Sequence, residues 1–171
     1  MTEHTTIPVR VTSADLDDPA QCAAIVDILD SYATDPIGGA TPLSREVREC
    51  LVPALRRHPT TRVLIAFAGE RAVGIAICFV GFSTFAARPL INIHDLAVLP
   101  EWRGRGVGRA LLAGVEALAA REGCCKLTLE VLNVNRRALG LYRSAGFSDY
   151  EADPDGATWF LTKPLAAPPR A

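Results

Sequence analysis

The sequence lacks the features that mark several specialised classes of protein. It carries 18 Lys and Arg against 19 Asp and Glu, so it has no excess of positive charge for releasing counterions from a nucleic acid. It has no apolar run of membrane-spanning length, and its N-terminal stretch lacks the basic and apolar regions of a secretion signal. We therefore expect no nucleic-acid partner, no membrane partner and a cytoplasmic location.

The cysteines also lack a functional pattern. Their number is odd, and their spacing matches neither a zinc ribbon nor a redox motif. They are Cys22, Cys50, Cys78, Cys124 and Cys125. We therefore expect reduced, mostly buried thiols and no metal. The adjacent Cys124 and Cys125 suggest one rival function, a hydrolase that uses a cysteine beside His94, although nothing near them suggests an activated thiolate.

What remains is the composition of an ordinary globular domain. Hydrophobic residues make up 49% of the 171 residues and charged residues 22%, with 13 glycines and 12 prolines spread along the chain. This length suits one hydrophobic core, so we expect a single domain over residues 1–165 and a loose tail at 166–171.

Hydrophobic periodicity predicts an α/β fold. Strands are predicted at 7–12, 62–68, 72–80, 90–99, 126–132, 147–150 and 158–163, with a loop at 81–89 and a turn at 153–156. Helices are predicted from 18 to about 32, from 44 with a kink or break at Pro53, at 107–121 and at 135–145. This order predicts a mixed central sheet of six to seven strands with about four helices on both faces.

The densest functional signal lies between the strand at 90–99 and the helix at 107–121. Residues 100–109 read PEWRGRGVGR. A helix start exposes about four unpaired amides and roughly half a positive charge, and glycine lets a ligand approach the backbone. Arg103, Arg105 and Arg109 add charge that suits a pyrophosphate or 3'-phosphate. The segment therefore predicts a phosphate site.

Two common phosphate-binding motifs do not fit this segment. A nucleoside-triphosphate loop needs Lys and Ser or Thr after its last glycine, whereas Arg109 and Ala110 follow Gly108. A dinucleotide fingerprint needs Gly-x-Gly-x-x-Gly directly after a strand, whereas here the third glycine comes one residue early and residues 100–102 intervene. A different phosphate-bearing ligand is indicated.

The segment Arg103-x-x-Gly106-x-Gly108, preceded by HDLAV at 94–98, resembles the acyl-coenzyme A signature of the GNAT superfamily of N-acetyltransferases. Asn135 and LYRSAGF at 141–147 resemble the second signature of that family. The resemblance implies the family fold and an enzyme. It would move an acetyl group from acetyl-CoA to a primary amine of a small molecule, amino acid or peptide, by direct attack in a ternary complex.

The resemblance also implies the residues that bind the cosubstrate. Amides of the glycine loop would hold the pyrophosphate, and the end of the preceding strand would hold the pantetheine arm. A backbone N–H near Val98 would stabilise the oxyanion, an interaction worth about 3 to 4 kcal/mol in enzymes. The implied residues are Leu96, Ala97, Val98, Arg103, Gly104, Arg105, Gly106, Val107, Gly108, Arg109, Asn135 and Tyr142. Asn135 could equally be a helix N-cap.

Two side chains are candidates for moving protons. Tyr142 matches the family position that serves the leaving thiolate, although an aromatic residue on an apolar helix face often only packs in a core. The attacking amine must be neutral, a state that a lysine-like amine occupies in roughly one of 2,500 molecules at pH 7. His94 is a candidate base, but the family often has glutamate near this position. Asp95 faces the opposite side of a regular strand, and a bulge would change that.

The acceptor is the least defined part of the function. Loops 35–43 and 81–89 are expected to line its site, with Thr84, Phe85 and Arg88 as contacts to a carboxylate or as plain surface. Residues 90–98 have some similarity to diamine acetyltransferases, but the acids Asp35, Asp95 and Asp153 are few for a polyamine site. A homodimer stays open, as does an alternative function: a non-catalytic acyl-CoA sensor or structural member of the fold.

Overall fold

The computed structural model describes residues 8–149 and 161–164, and a five-stranded sheet lies at its centre. The strands are β1 (Val9–Ser13), β2 (Thr61–Ala68), β3 (Arg71–Ser83), β4 (Arg88–Val98) and β5 (Leu127–Leu129), in that spatial order. Successive pairs are antiparallel except β4 and β5, which are parallel. This is the predicted mixed sheet.

Helices cover both faces of the sheet. They are α1 (Pro19–Ala33), α2 (Arg45–Arg57), α3 (Val107–Arg121) and α4 (Arg136–Ser144), and a 3-10 turn spans Pro100–Trp102. On one face α3 buries Leu111 and Val115 completely. On the other face α1 and α2 bury Ile25, Ile28 and Leu55. The predicted arrangement of helices around one sheet is confirmed.

Several element boundaries differ from prediction for physical reasons. Helix α2 continues through Pro53 without a break. The proline removes one helical hydrogen bond and crowds the carbonyl four residues earlier, but the buried Val52 and Leu55 on either side hold the helix in place. Strands β3 and β4 extend into the predicted loop at 81–89, where Ser83 pairs with Arg88. Strand β5 covers only part of 126–132, because its pairing with β4 ends at Leu129.

The last two predicted strands are not seen as strands in the described residues. Residues 147–149 and 161–163 have no regular secondary structure. The rest of those two segments, the 153–156 turn and the 166–171 tail lie outside the described residues. The sheet therefore has five strands where the structure describes it, against six to seven predicted. Within the same residues, no helix has both the length and the apolarity needed to cross a membrane.

Candidate active site

A β-bulge in β4 decides which side chains reach the site. Ile77 pairs with Asp95, but Cys78 pairs with Ile93, so His94 is an extra residue in β4. The bulge reverses the alternation of faces: Ile93 packs with the α3 core, whereas Ala97 packs with the α1 and α2 core. A regular strand would have placed Asp95 on the opposite side from His94, and the bulge changes that placement. Both His94 and Asp95 line the same cavity.

The cavity opens where two parallel strands stop pairing. Pairing of β4 with β5 covers only 91–93 and 127–129. Beyond it, a cavity of about 750 Å³ lies between the rest of β4 and residues 130–132. This volume falls in the range of small-molecule sites. Helices α3 and α4 and the end of α1 supply the remaining walls.

The start of α3 presents unpaired backbone amides to this cavity. Gly106 is the N-cap, with φ of 83°, and no side chain caps the helix. The Ala110 amide donates to the Gly106 carbonyl at 2.9 Å, which leaves the preceding amides of the first turn without a helical partner. Val107, Gly108 and Arg109 all line the cavity. The helix start is thus arranged as an anion site.

The glycines of the loop have two different functions. Gly104 and Gly106 adopt positive φ angles of 73° and 83°, which other residues rarely adopt. Gly108 has no such constraint, but a Cβ there would lie 2.9 Å from Leu141 Cδ2. Two glycines therefore shape the loop, and the third lets α4 approach the start of α3.

The three arginines of the loop already have protein partners. Arg103 Nη1 donates to Asp35 Oδ2 at 2.8 Å, and Arg109 Nη2 donates to Ser144 Oγ at 3.0 Å. The Arg105 guanidinium lies over the Trp102 ring, 5.1 Å from its centroid. Positive charge surrounds the loop as expected, and the backbone amides at the start of α3 add donors without a helical partner.

The aromatic residue predicted for the leaving group lies in the cavity wall. Burial raises the pKa of Tyr142 to about 12, and the nearby Tyr32 adds to the shift. Its ring also packs against Phe147, with centroids 5.8 Å apart. The phenol therefore keeps its proton at neutral pH while one edge of the ring belongs to the core.

Asn135 caps a helix and also lies at the cavity. Its Oδ1 accepts a hydrogen bond from the Ala138 amide at 3.2 Å, so it is the N-cap of α4. It also lines the cavity. The cap fixes its side chain at the cavity wall.

The far end of the cavity collects acidic and proton-accepting groups. Burial raises the pKa of Asp95 above its ordinary 3.8, an effect that the neighbouring His94 partly opposes. The His94 ring lies edge-on to Phe79 with centroids 5.6 Å apart. Burial raises the pKa of Tyr32, and the charge of Asp95 raises it further. Glu130 also lines the wall.

Most of the predicted site residues meet at this cavity. Those that line it are His94, Leu96, Val98, Arg103, Gly104, Gly106, Val107, Gly108, Arg109, Asn135 and Tyr142. The Ala97 side chain instead lies in the core at 2% exposure, and Arg105 lies beside the loop. Loop 35–43 contributes Ile37. Among the cavity residues that the structure describes, none comes from 81–89; Phe85 is fully exposed there, and Arg88 bonds the Gly123 carbonyl.

Sequence reasoning missed two residues of the wall near Asp95. Tyr32 carries no motif that could have indicated it, because only the packing of α1 brings it here. Glu130 could have been suspected, since it follows the strand that runs beside His94. Trp102 also lines the cavity and lies inside the glycine-loop segment itself.

The rival hydrolase finds no support in the site. Burial raises the pKa of Cys124, so its thiol is less acidic than a free cysteine and not activated. Neither Cys124 nor Cys125 lines the cavity that contains His94. In the described ranges, no group of three or more His, Cys, Asp or Glu side chains is arranged to hold a metal.

Comparison with known proteins agrees with this geometry. The family model described as "Acetyltransferase (GNAT) family" matches residues 23–147. The thialysine N-epsilon-acetyltransferase of Bos taurus is 37% identical over 81 residues, which are 47% of each chain. The streptothricin acetyltransferase of Streptomyces lavendulae is 37% identical over 82 residues, 48% of this chain and 43% of that protein. The chain thus spans about half the length of the curated relatives it matches.

Solved structures extend the likeness to almost the whole fold. An aminoglycoside acetyltransferase from an uncultured soil metagenomic sample, in complex with sisomicin, superposes with a TM-score of 0.69. The match covers 91% of this chain and 96% of that one at 19% sequence identity. At this identity the likeness establishes the fold, and the family match establishes the ancestry.

Proposed function

The chain belongs to the acetyltransferase (GNAT) family, and on that premise we propose that it is an N-acetyltransferase. It would move an acetyl group from acetyl-CoA to a primary amine of a small molecule, amino acid or peptide. One observation carries the proposal: a single cavity joins the unpaired amides at the start of α3 to the carboxyl group of Asp95. The first feature suits a diphosphate, and the second suits an amine.

The residues present fit acetyl-CoA. Uncapped amides, with left-handed glycines at 104 and 106, leave a cradle that a larger side chain would disturb. The backbone of residues 103–109 would hold the pyrophosphate, and the backbone of 96–98 with the Asn135 side chain would hold the pantetheine arm. When bound, acetyl-CoA supplies a thioester as the acyl donor. The Arg103, Arg105 and Arg109 side chains would add a positive field rather than direct ligands.

Two groups in the cavity can move protons in opposite directions. The Tyr142 hydroxyl is protonated at neutral pH and is therefore a donor. The Asp95 carboxylate is an acceptor, and its raised pKa brings its basicity closer to that of an amine. His94 stands beside it as the other candidate base. We favour Asp95 because it is half-buried in the cavity wall, whereas His94 is exposed.

A small cationic amine is the substrate class that the acceptor end favours. Asp95 and Glu130 put negative charge there, and the Arg103 guanidinium in the cavity wall is paired with Asp35. The names of the two relatives described above refer to small amine-bearing molecules, thialysine and streptothricin. The acceptor end and these relatives support a small-molecule amine before a peptide.

A thiol-release assay tests the proposal. Acetyl-CoA would be offered with thialysine, lysine, an aminoglycoside, a diamine and an alanine-terminated peptide, and free CoA would be measured. We expect turnover with at least one small amine, together with a rise in Tm with acetyl-CoA that NAD and ATP do not match. Binding without turnover across the panel would favour the sensor. Equal Tm shifts with all three nucleotides would indicate generic anion binding and contradict the proposal.

A further inference from the structure

Arg103 joins two segments that are far apart in the sequence. Its Nη1 donates to Asp35 Oδ2 at 2.8 Å, and its Nε donates to the Val98 carbonyl at 3.1 Å. The side chains of Arg103 and Asp35 are 19% and 18% exposed, less than the two partners of any other ion pair among the described residues. The guanidinium is thus held between the end of β4 and the loop that follows α1.

Asp35 in turn organises that loop. Its Oδ1 accepts from the Ile37 amide at 3.0 Å, and its carbonyl accepts from the amides of Gly38 and Ala40 at 2.8 and 3.1 Å. Its own amide donates to the Tyr32 carbonyl at 3.0 Å. Tyr32 and Ile37 both line the cavity. One carboxylate therefore shapes part of the acceptor-side wall and also binds the arginine of the glycine loop.

We propose that Arg103 is a positioning residue that locks the loop at 35–40 to the end of β4, and that its side chain is not a phosphate ligand. Its Nε and Nη1 donate to two separate partners, the Val98 carbonyl and the Asp35 carboxylate, which holds the guanidinium in place. The wall carrying Tyr32 and Ile37 and the backbone that meets the pantetheine arm are then fixed by one side chain. The second half of this statement rests on the proposed binding of CoA; the lock itself does not.

A competing interpretation predicts the opposite change in CoA affinity for one variant. If Asp35 merely held back a phosphate-binding arginine, its neutralisation would release a cation and tighten CoA binding. If the pair is a lock, neutralising Asp35 loosens the wall and gives no gain. Asp35→Asn is suited to this test, because the amide oxygen can still accept from Ile37.

Amide hydrogen exchange without ligand tests the lock. Arg103→Gln and Arg103→Lys should each speed exchange at Ile37, Gly38 and Ala40 by about tenfold, because local opening follows the loss of anchoring contacts. Arg71→Gln is the matched control, because it removes a guanidinium from Glu101, next to the glycine loop. Amides of β3 should keep their rates in every variant, which separates local release from general destabilisation. Unchanged exchange at the three loop amides in both Arg103 variants would overturn the proposal.

Calorimetric titration with CoA tests the second half of the proposal, which concerns the binding of CoA. For Asp35→Asn and Arg103→Lys we expect CoA to bind as in the parent or about threefold more weakly, as modest coupling between neighbouring sites predicts. Tighter binding by Asp35→Asn would identify Arg103 as a restrained phosphate ligand and overturn the proposal. Failure of the parent to bind CoA would sink the proposed function, while the exchange experiment would still decide the lock.

Discussion

The two ends of the cavity are built in different ways. The proposed phosphate end is one continuous segment, 103–109, and it includes the unpaired backbone amides at the start of α3. The acceptor end combines Tyr32 from α1, Asp95 from β4 and Glu130 after β5, and its chemistry lies in side chains. A backbone site tolerates many side chains and leaves a compact glycine signature. A side-chain site depends on how three separate elements pack.

The largest expected effect is a loss of reaction rate when the acceptor end of the cavity is changed. Asp95→Asn should lower kcat/KM by about a hundredfold, the range found for loss of a general base, with CoA affinity unchanged. In the parent, the raised pKa of Asp95 should place the acidic limb of the pH–rate profile above pH 3.8, with activity falling as the pH drops. Steady-state kinetics across pH measures both. His94→Gln is the comparison: a larger loss there than in Asp95→Asn would make His94 the base.

Tyr142→Phe should give the next largest effect and would sharpen the distinction between binding and chemistry. We expect kcat to fall about thirtyfold, the size of a lost hydrogen bond to a charged group, with little change in CoA affinity. Pre-steady-state thiol release and calorimetry would measure the two quantities. Tyr32→Phe, a matched change at the acceptor end, should alter the KM for the amine instead. An undiminished kcat in Tyr142→Phe would leave that residue a packing role only.

Two glycine variants, one at the phosphate end and one far from it, test the phosphate end alone. Gly106→Ala places a side chain at φ of 83°, and Gly69→Ala does so at 60° in the distant hairpin between β2 and β3. Both should cost about 1 to 2 kcal/mol of folding free energy from left-handed strain. Only Gly106→Ala should also weaken CoA binding, by about tenfold, because its amides approach the ligand. Similar CoA affinity in the two variants would argue against the helix start as the phosphate site.

The smallest expected effect is a slight gain in stability for Asp95→Asn, the same variant that should lose activity. A carboxyl group whose pKa is higher in the folded than in the unfolded chain contributes stability at pH values below its unfolded pKa. That contribution is lost as the pH rises through its folded pKa. Because the pKa of Asp95 is raised by burial, Asp95→Asn should raise Tm slightly at pH 7. The gain should shrink as the pH falls through the native pKa. Thermal melts at several pH values check this, and a lower Tm at pH 7 would contradict it.

Much of the fold could be predicted because its signals are local. Helix α3 has the predicted bounds, 107–121, since a regular apolar stripe follows a glycine loop and ends at a left-handed Gly123. The end of β5 could not be predicted in the same way. Residues 126–132 alternate like a longer strand, but pairing with β4 stops at Leu129. Alternation reports which side chains can be buried, whereas strand length depends on the partner.

The candidate site divides along the same line. The resemblance to the family pointed to the glycine loop, Asn135 and Tyr142 as site residues, and all of these except Arg105 line one cavity. The position of Asp95 in the cavity depends on the bulge at His94, and only the register against β3 reveals that bulge. The Asp35–Arg103 ion pair likewise depends on the packing of α1 near the end of β4. Its two residues carry no local sign of each other.

The amino-acid sequence by itself determined the order of elements, the left-handed glycines and the open helix start within 103–109, because glycine conformations and helix starts depend on neighbouring residues. Only the tertiary structure decided that Asp95 turns toward the same cavity as His94 and that Arg103 is held by Asp35. The reason is physical: a one-residue bulge and an ion pair between distant segments arise from strand register and helix packing, which no short stretch of chain encodes.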